Sequence, residues 1–168
     1  MRIAVSNSSP LILLAKTRAM DILTHFYDVI YIPPAVHHEV VEEGMASGYA
    51  DTLLVKNLVD TKRIVVKSDY PHALQNKSMA LHSLHPGEID TIELALSFQG
   101  GITLLDDEEA RKIARAFGLA VKGTLGLLID YNKAGKVDKV QALKKLDELN
   151  RIMYLSADIY HLVENSFV

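Results

Sequence analysis

The chain has 168 residues, of which 49% are hydrophobic and 23% charged, and this balance fits one globular domain with a substantial core. It contains no cysteine, which excludes disulfides and thiolate zinc sites, and no apolar run reaches the ~18–20 residues that a membrane span requires. The net charge of −3 provides no global basic field, so a nucleic-acid partner would need a local basic patch or a bound cation.

Hydrophobic periodicity and turn residues predict short strands that alternate with helices. In chain order, the first elements are a strand at 2–6, helices at 11–16 and 20–27, a strand at 29–33, helices at 35–44 and 49–58, and a strand at 63–67. A polar stretch rich in His, Ser and Asn precedes the later elements, which are a helix within 85–101, a strand at 102–105, a helix at 107–118, a strand at 119–123, and helices at 124–135, 139–150 and 155–167.

This alternation of strands and helices favours an α/β fold, a three-layer α/β/α sandwich with a central parallel sheet. We expect residues 1–168 to form a single domain, with the helices of about 136–168 as an extension packed on it. The apolar N-terminal stretch is interrupted by Ser-Asn-Ser-Ser-Pro, which breaks the core that a signal peptide needs. We therefore expect a cytoplasmic protein without membrane contact.

Polar and acidic side chains follow strands or open helices at three places. Asn7 comes directly after the first strand, Glu88 and Asp90 open the helix after His-Pro-Gly, and Asp106 and Asp107 follow the strand at 102–105. Ligands of parallel α/β sheets gather at the carboxyl ends of the strands. These side chains are therefore candidates for one shared site.

Helix capping explains each of these acids singly. Asp106 as the N-cap, with Glu109 three residues later, would form an Asp-x-x-Glu capping box, and acids in a first turn suit the helix dipole. Capping requires one aspartate and leaves Asp107 unexplained. Asp90 and Glu93 share a helix face at i,i+3, which is compatible with simple solvation.

Glu39 adds a fourth acid to these three places. At 100° per residue it falls roughly 60° from Val36, inside the apolar arc of its helix. A carboxylate on the core side is costly unless it is paired or binds a metal, whereas a position at the edge of the arc would let it reach water. The spacing alone leaves both interpretations open.

A divalent cation would resolve the repulsion among clustered carboxylates. Mg²⁺ and Mn²⁺ prefer oxygen ligands, bridge readily to phosphate and support hydrolysis of phosphodiesters. The histidines do not form a zinc pattern, because His37 and His38 are adjacent on a helix and face different ways. The sequence therefore points to a hard cation rather than to zinc.

Four motifs in this order make the chain resemble the PIN-domain superfamily: VSNSSPLILLAK, IPPAVHHEVVEEG, HPGEIDTIELAL and LLDDEEARKIARAFGLAVKGTLGLL. The likeness is to a prokaryotic branch related to the VapC-type toxin ribonucleases, and it extends from Arg2 to about Gly135. It implies a Rossmann-like three-layer fold, an acidic cleft that binds Mg²⁺ or Mn²⁺, and endonuclease activity on RNA.

The resemblance also implies roles for particular residues. Carried over by position, the catalytic acids would be Glu39, Glu88 and Asp107. The metal ligands would be drawn from Asn7, Glu39, Glu88, Asp90, Asp106 and Asp107, with Asp90 as an alternative to Glu88. Ser8 or Ser9 would match the hydroxyl residue that follows the first acid. Asn7 departs from the aspartate usual at its position, because an amide brings no charge and cannot act as a base.

Substrate contact would require local cations against the acidic background. The candidates are Arg111, Lys112 and Arg115 behind Asp107, and Lys16 and Arg18 near the end of the first helix. Glu108 lies four residues before Lys112 and accounts for that lysine as an ion pair, so Arg111 is the contact we expect. The turn KGTLG could accept a phosphate at a helix start, although ordinary turn chemistry explains it as well.

Three hypotheses for the function follow. The first is a metal-dependent endoribonuclease, the toxin of a toxin–antitoxin pair, with RNA, an antitoxin protein and a second copy of the chain as partners. The second is a PIN-like domain that binds RNA or a protein without cleavage, because Asn7 weakens the site. The third, a receiver-like signalling domain, is disfavoured because the acid pair comes late in the chain.

Overall fold

The computed structural model describes residues 1–72, 74, 83–98 and 100–168. Within this part of the chain, five strands form one sheet in the order β3-β2-β1-β4-β5, and every neighbouring pair is parallel. The strands are β1 (Ile3–Ser6), β2 (Val29–Ile32), β3 (Ile64–Val66), β4 (Ile102–Leu104) and β5 (Ala120–Lys122).

Helices connect consecutive strands, as parallel pairing requires. They are α1 (Ser8–Lys16), α2 (Asp21–Phe26), α3 (Pro34–His37), α4 (Gly44–Ala46), α5 (Thr52–Asp60), α6 (Pro86–Leu96), α7 (Glu108–Ala116), α8 (Thr124–Lys133), α9 (Lys139–Met153) and α10 (Ala157–Glu164). A π-helical segment, His38–Glu43, joins α3 to α4. In the described part of the chain, no helix is both long and apolar enough to cross a membrane.

Helices cover both faces of the sheet, because successive strand residues point to opposite sides. In β1, Ala4 packs in a core cluster with Leu11 and Leu14 of α1, whereas Val5 packs in another cluster with Leu94 of α6. The predicted three-layer α/β/α fold with a central parallel sheet is therefore confirmed.

The predicted strands all occur, and the helix boundaries differ by a few residues. At α1 the helix begins at Ser8 rather than at Leu11, and α5, α9 and α10 differ from the prediction by up to three residues at one end. Pro10 then lies in the first turn, where its missing N–H needs no partner within the helix. The predicted helix at 35–44 contains the π-helical segment, which the sequence did not indicate. Most of the predicted polar stretch before α6, residues 73 and 75–82, lies outside the described residues.

The C-terminal helices share the core of the sheet. Ala142, Leu146 and Leu149 of α9 and Val163 of α10 are buried in the same cluster as the strand residues Ala4 and Ile30. Phe167, which follows α10, lies in that cluster too.

The order in which the chain adds strands to the sheet reverses direction between β1 and β4. From β1 the chain proceeds to β2 and β3 on one side, and β4 and β5 extend the sheet on the other. Ser6 is in register with Leu104, so both strands end at the same level. In sheets of this kind, ligands bind in the crevice at the carboxyl ends of these two strands.

Candidate functional site

Asn7 lies at this crevice, directly after β1. Its backbone N–H donates to the carbonyl of Leu104 at 3.2 Å, which fixes the residue against the end of β4. The side chain is buried, and Oδ1 has no hydrogen-bond partner among the described residues. An unpaired buried oxygen costs about 1–3 kcal/mol, a cost that contact with a ligand would relieve.

Glu39 reaches the same crevice from the π-helical segment. The hydroxyl of Ser8, at the start of α1, donates to Glu39 Oε2 at 2.5 Å. The residue is exposed, so its carboxylate lies at the rim of the crevice and is held there by Ser8. The π-helical segment, a feature frequent at functional sites, contains this carboxylate.

Glu88 reaches the same crevice from the first turn of α6. Its carboxylate accepts a hydrogen bond from the backbone N–H of His85 at 3.0 Å, and the residue is buried. Burial raises the pKa of Glu88, and the negative charges of Asp107 and Glu39 raise it further, against the opposing effects of the backbone hydrogen bond and the His85 ring. Glu88 is therefore within electrostatic reach of both other acids.

These elements enclose a cleft of about 360 Å³. Its lining includes Asn7, Ser8, Ser9, Glu39, His85 and Glu88. Ser9 is exposed and Ser8 is buried, so the two hydroxyls have different roles: Ser8 positions Glu39, and Ser9 faces solvent. We refer to this space as the acid cleft.

The roles of the two aspartates after β4 differ from those that the capping prediction gave them. Asp107, not Asp106, is the N-cap of α7, and its Oδ1 accepts the backbone N–H of Ala110 at 2.8 Å. The capping box predicted for Asp106 and Glu109 is therefore wrong. Asp107 is exposed and does not line the acid cleft, but its negative charge acts on Glu88.

Asp106 binds the start of α8 instead. The backbone N–H and the hydroxyl of Thr124 donate to its two oxygens at 2.7 and 2.6 Å. Burial raises the pKa of Asp106, against the hydrogen bonds from Thr124 and the charge of Arg111. A Cβ on Gly123 would come within 2.9 Å of Asp106 Oδ1, so the close approach requires glycine. In the KGTLG turn, the N–H of Thr124 thus serves Asp106 rather than a phosphate.

The predicted substrate contact Arg111 lies beside this junction. It is half-buried, and one guanidinium nitrogen is 3.8 Å from the position that a Cβ on Gly123 would occupy. Its positive charge lowers the pKa of Asp106, so it acts within the protein. Lys112 forms the predicted ion pair with Glu108 at 3.0 Å.

Asp90 lies on another side of α6 from Glu88. It belongs to a group with His72 and Glu93 in which one ligand atom from each residue lies within 4.8 Å of the others. Glu93 is buried, so the expectation of a solvated Asp90–Glu93 face is wrong for Glu93. The structure thus separates Glu88 and Asp90, which the sequence left as alternatives.

The donors of the acid cleft fit a divalent cation. Asn7 offers an unpaired amide oxygen, and Glu39 and Glu88 offer carboxylate oxygens; Asp107 lies outside the lining but within electrostatic reach of Glu88. Oxygen donors with excess negative charge are the ligands that Mg²⁺ and Mn²⁺ prefer.

Two contributors to this site were not predicted as site residues. His85 lines the cleft and lowers the pKa of Glu88, and Thr124 holds Asp106. Each immediately precedes or begins a helix, at the ends of the motifs HPGE and KGT, and that position was the available signal. The contact between Thr124 and Asp106 joins residues 18 positions apart, so no local pattern encodes it. His85 and Glu88 are three residues apart and form a capping box, which is a local pattern.

Comparison with known families gives one match. The model of the family DUF3368, described as a PIN domain, matches residues 3–167. A search of curated proteins found no match.

Proposed function

The chain belongs to the PIN-domain family, whose members are generally nucleases that use divalent metal ions, and on this premise we propose that it is a metal-dependent endoribonuclease. One observation carries the proposal: the buried Oδ1 of Asn7 has no partner among the described residues and lies in the same cleft as Glu39 and Glu88. An unpaired oxygen beside clustered carboxylates favours a cation as the missing partner.

The cation would be Mg²⁺ or Mn²⁺, held by Asn7, Glu39, Glu88 and Asp107. When bound, it would stabilise the negative charge that develops on a phosphodiester as water attacks. We assign Asp106 a positioning role, because both of its oxygens accept hydrogen bonds from Thr124. Asp106 thereby fixes the loop from which Asp107 extends.

The side chains of the cleft differ in what they can do with a proton. Glu88 has a raised pKa because it is buried, so it holds a proton more readily than a solvated glutamate does. Ser8 donates to Glu39 and keeps that carboxylate turned to the cleft. Asn7 orients a ligand but cannot accept a proton as a base.

For the substrate and partners we propose RNA, an antitoxin protein and a second copy of the chain. Ser9 is the exposed hydroxyl of the cleft and is suited to donate to a phosphate oxygen. Arg111 acts on Asp106, so its effect on RNA would be exerted largely through the loop that carries Asp107.

The decisive experiment measures cleavage of structured and unstructured RNA with Mg²⁺, Mn²⁺ or EDTA. We expect cleavage that needs the metal and falls at least about 100-fold in Glu88→Gln and in Asp107→Asn. Asparagine caps a helix about as well as aspartate does, so Asp107→Asn removes charge and keeps α7 intact.

A matched control is Asp138→Asn, because Asp138 is the N-cap of α9 and accepts the N–H of Gln141 at 2.8 Å, as Asp107 does for Ala110. It should cleave like the wild-type protein. Equal cleavage by wild type and Glu88→Gln would show that the activity comes from another source and would overturn the assignment.

The uncharged Asn7 favours a second function, binding of RNA or a protein without cleavage. Absence of cleavage in every metal, together with retention of labelled RNA on a filter by the folded protein, would establish this function in place of the first. Neutralising the acid cleft would then strengthen RNA binding, because it removes repulsion of the phosphates.

A further inference from the structure

A second group of metal-ligating side chains lies outside the acid cleft. His72 follows β3, and Asp90 and Glu93 lie on α6. Their ligand atoms all lie within 4.8 Å of one another, and His72 Nδ1 is 3.0 Å from Glu93 Oε2. We call these three residues the His72 triad.

The spacing is close to that around one metal ion. With metal–ligand bonds of about 2.0–2.2 Å, neighbouring ligand atoms lie roughly 3–4 Å apart. Asp90 and Glu93 are separated by one helical turn, so their carboxylates come from one face of α6 and the imidazole meets them from the facing segment.

Two of the ligands are already oriented. The backbone N–H of Leu74 donates to Glu93 Oε1 at 2.6 Å, which leaves Oε2 turned to His72. Tyr70 is buried, and its ring lies 4.7 Å from the His72 ring between centroids, which limits the rotation of the imidazole. Hydrogen bonds of this kind commonly fix metal ligands.

The side chain of Glu93 is 0% exposed, which is unusual for a carboxylate. From these observations we propose that the His72 triad is a binding site for a divalent transition-metal ion of the zinc class, separate from the acid cleft.

The donor set distinguishes the two sites. An imidazole nitrogen with two carboxylates suits Zn²⁺, Co²⁺ or Ni²⁺, whereas the oxygen donors of the acid cleft suit Mg²⁺. On α6, Asp90 lies roughly 200° and Glu93 roughly 140° around the helix from Glu88. One helix therefore contributes to both sites from different faces.

A metal at the triad would join the segment after β3 to α6. This segment contains Tyr70, His72 and Leu74, and α6 carries Glu88 of the acid cleft. The site would thus stabilise the placement of Glu88 without touching the substrate. The proposal concerns binding and does not depend on ribonuclease activity.

The test is calorimetric titration of metal-stripped protein with Zn²⁺ in excess Mg²⁺, which competes for the acid cleft. We expect one more Zn²⁺ per chain in the wild type than in His72→Ala or Asp90→Asn. Zn²⁺ should raise Tm in the wild type and not in these two variants. Co²⁺ should give a visible absorption spectrum that His72→Ala lacks, because the imidazole is then no longer a ligand.

The controls separate the triad from other histidines and from the acid cleft. His161 forms a similar surface pair with Glu164 at 3.0 Å, so His161→Ala should bind Zn²⁺ like the wild type. Glu88→Gln should lose RNA cleavage and keep the Zn²⁺ site, which distinguishes failure of this proposal from failure of the proposed function.

Equal Zn²⁺ stoichiometry and affinity in wild type, His72→Ala and Asp90→Asn would overturn the proposal. The triad would then serve only to hold the segment after β3 against α6 by hydrogen bonds. His72 is about half exposed, so its replacement should leave the fold intact. If His72→Ala nevertheless fails to fold, the near-isosteric Asp90→Asn decides the outcome by the same titration.

Discussion

Asn7 brings an uncharged oxygen into a cleft where carboxylates repel one another. Among the described residues its Oδ1 has no partner, and Glu88 responds to the negative charges of Glu39 and Asp107. An amide at this position lessens the repulsion in the metal-free protein, and it also gives a bound cation one negative charge less. A negative charge at position 7 should therefore lower the stability of the metal-free protein and raise its affinity for a cation.

Asn7→Asp tests this opposition. A fourth carboxylate in a buried position should lower the free energy of unfolding in EDTA by about 1–3 kcal/mol, because the new charge is desolvated and repelled. It should tighten Mn²⁺ binding by about tenfold, equivalent to about 1.4 kcal/mol. Urea denaturation in EDTA and calorimetric titration with Mn²⁺ measure the two effects. The exposed Asn165→Asp should change neither; unchanged Mn²⁺ affinity in Asn7→Asp would show that this side chain is not a ligand.

Glu88 makes stability depend on pH in a defined direction. Burial raises its pKa in the folded protein above that of an unfolded glutamate, about 4.3. The folded state therefore binds the proton more tightly. The stabilisation is fully present below the unfolded pKa and is lost as pH rises through the folded pKa.

Glu88→Gln should remove this contribution. In EDTA, the wild type should lose stability relative to Glu88→Gln as pH rises from about 4 toward neutrality, since glutamine does not ionise. Asp106 contributes in the same direction in both proteins, so the difference between them isolates Glu88. Urea denaturation at successive pH values measures it, and a constant difference across the range would contradict the burial of a charged Glu88.

At the scale of elements, the loop after β4 is held by the start of α8. Thr124 is fully buried and uses both its N–H and its hydroxyl on Asp106, while Asp107 caps α7 from the next position. The two aspartates thus connect β4 to two different helices. A substitution that displaces Asp106 should therefore also displace Asp107, because the two residues are adjacent in the chain.

Thr124→Val keeps the shape of the side chain and removes the hydroxyl. It leaves Asp106 Oδ2 without that donor in a buried environment, so we expect a loss of about 1–3 kcal/mol in unfolding free energy. Thr61→Val is the control, because the Thr61 hydroxyl donates to the carbonyl of Asn57 at the exposed end of α5, and it should cost about 0.5 kcal/mol or less. Equal losses in the two variants, measured by urea denaturation, would show that the Asp106 contact contributes nothing particular.

This loop also shows where prediction from sequence ended. The pattern Asp-x-x-Glu at Asp106 satisfied the rule for a capping box, yet the helix begins one residue later because Thr124 binds Asp106. A contact between residues 18 positions apart decided between two adjacent caps. Local rules cannot rank such choices, because both aspartates are acceptable caps.

For the molecule as a whole, the strands and the parallel sheet followed from apolar runs that alternate with helices. Asn7 and Glu88 were predicted from their places at a strand end and a helix start, and Glu39 from its position on the apolar arc of its helix; the structure brings the three to one cleft. The separation of Asp90 from Glu88 follows from their spacing of two residues on a helix, but which of the two faces the cleft depends on how α6 packs and could not be predicted. Nor could the partner of Glu93, since His72 follows a different strand.

The end of the chain is bound into the same core that supports the sheet. Phe167 is 3% exposed and packs in the cluster that contains strand residues. Lys139 Nζ donates to the Phe167 carbonyl at 3.1 Å, and the N–H of Val168 donates to Asn132 Oδ1 at 2.8 Å. These contacts fasten the last residues to α8 and α9, so the C-terminal helices should unfold together with the sheet.

Phe167→Ala should therefore destabilise the entire molecule. Replacing a buried phenylalanine by alanine costs about 3–5 kcal/mol, a large part of the about 5–15 kcal/mol that stabilises a typical domain. Leu162→Ala, in the neighbouring helix, removes a side chain from a residue that is 69% exposed and should cost about 0.5 kcal/mol or less. Far-UV circular dichroism during thermal unfolding should show one transition in each protein, with Tm lowered by roughly 10 °C in Phe167→Ala. A separate early transition in Phe167→Ala, with the rest of the molecule melting at the wild-type Tm, would mean that the C-terminal helices form an independent unit.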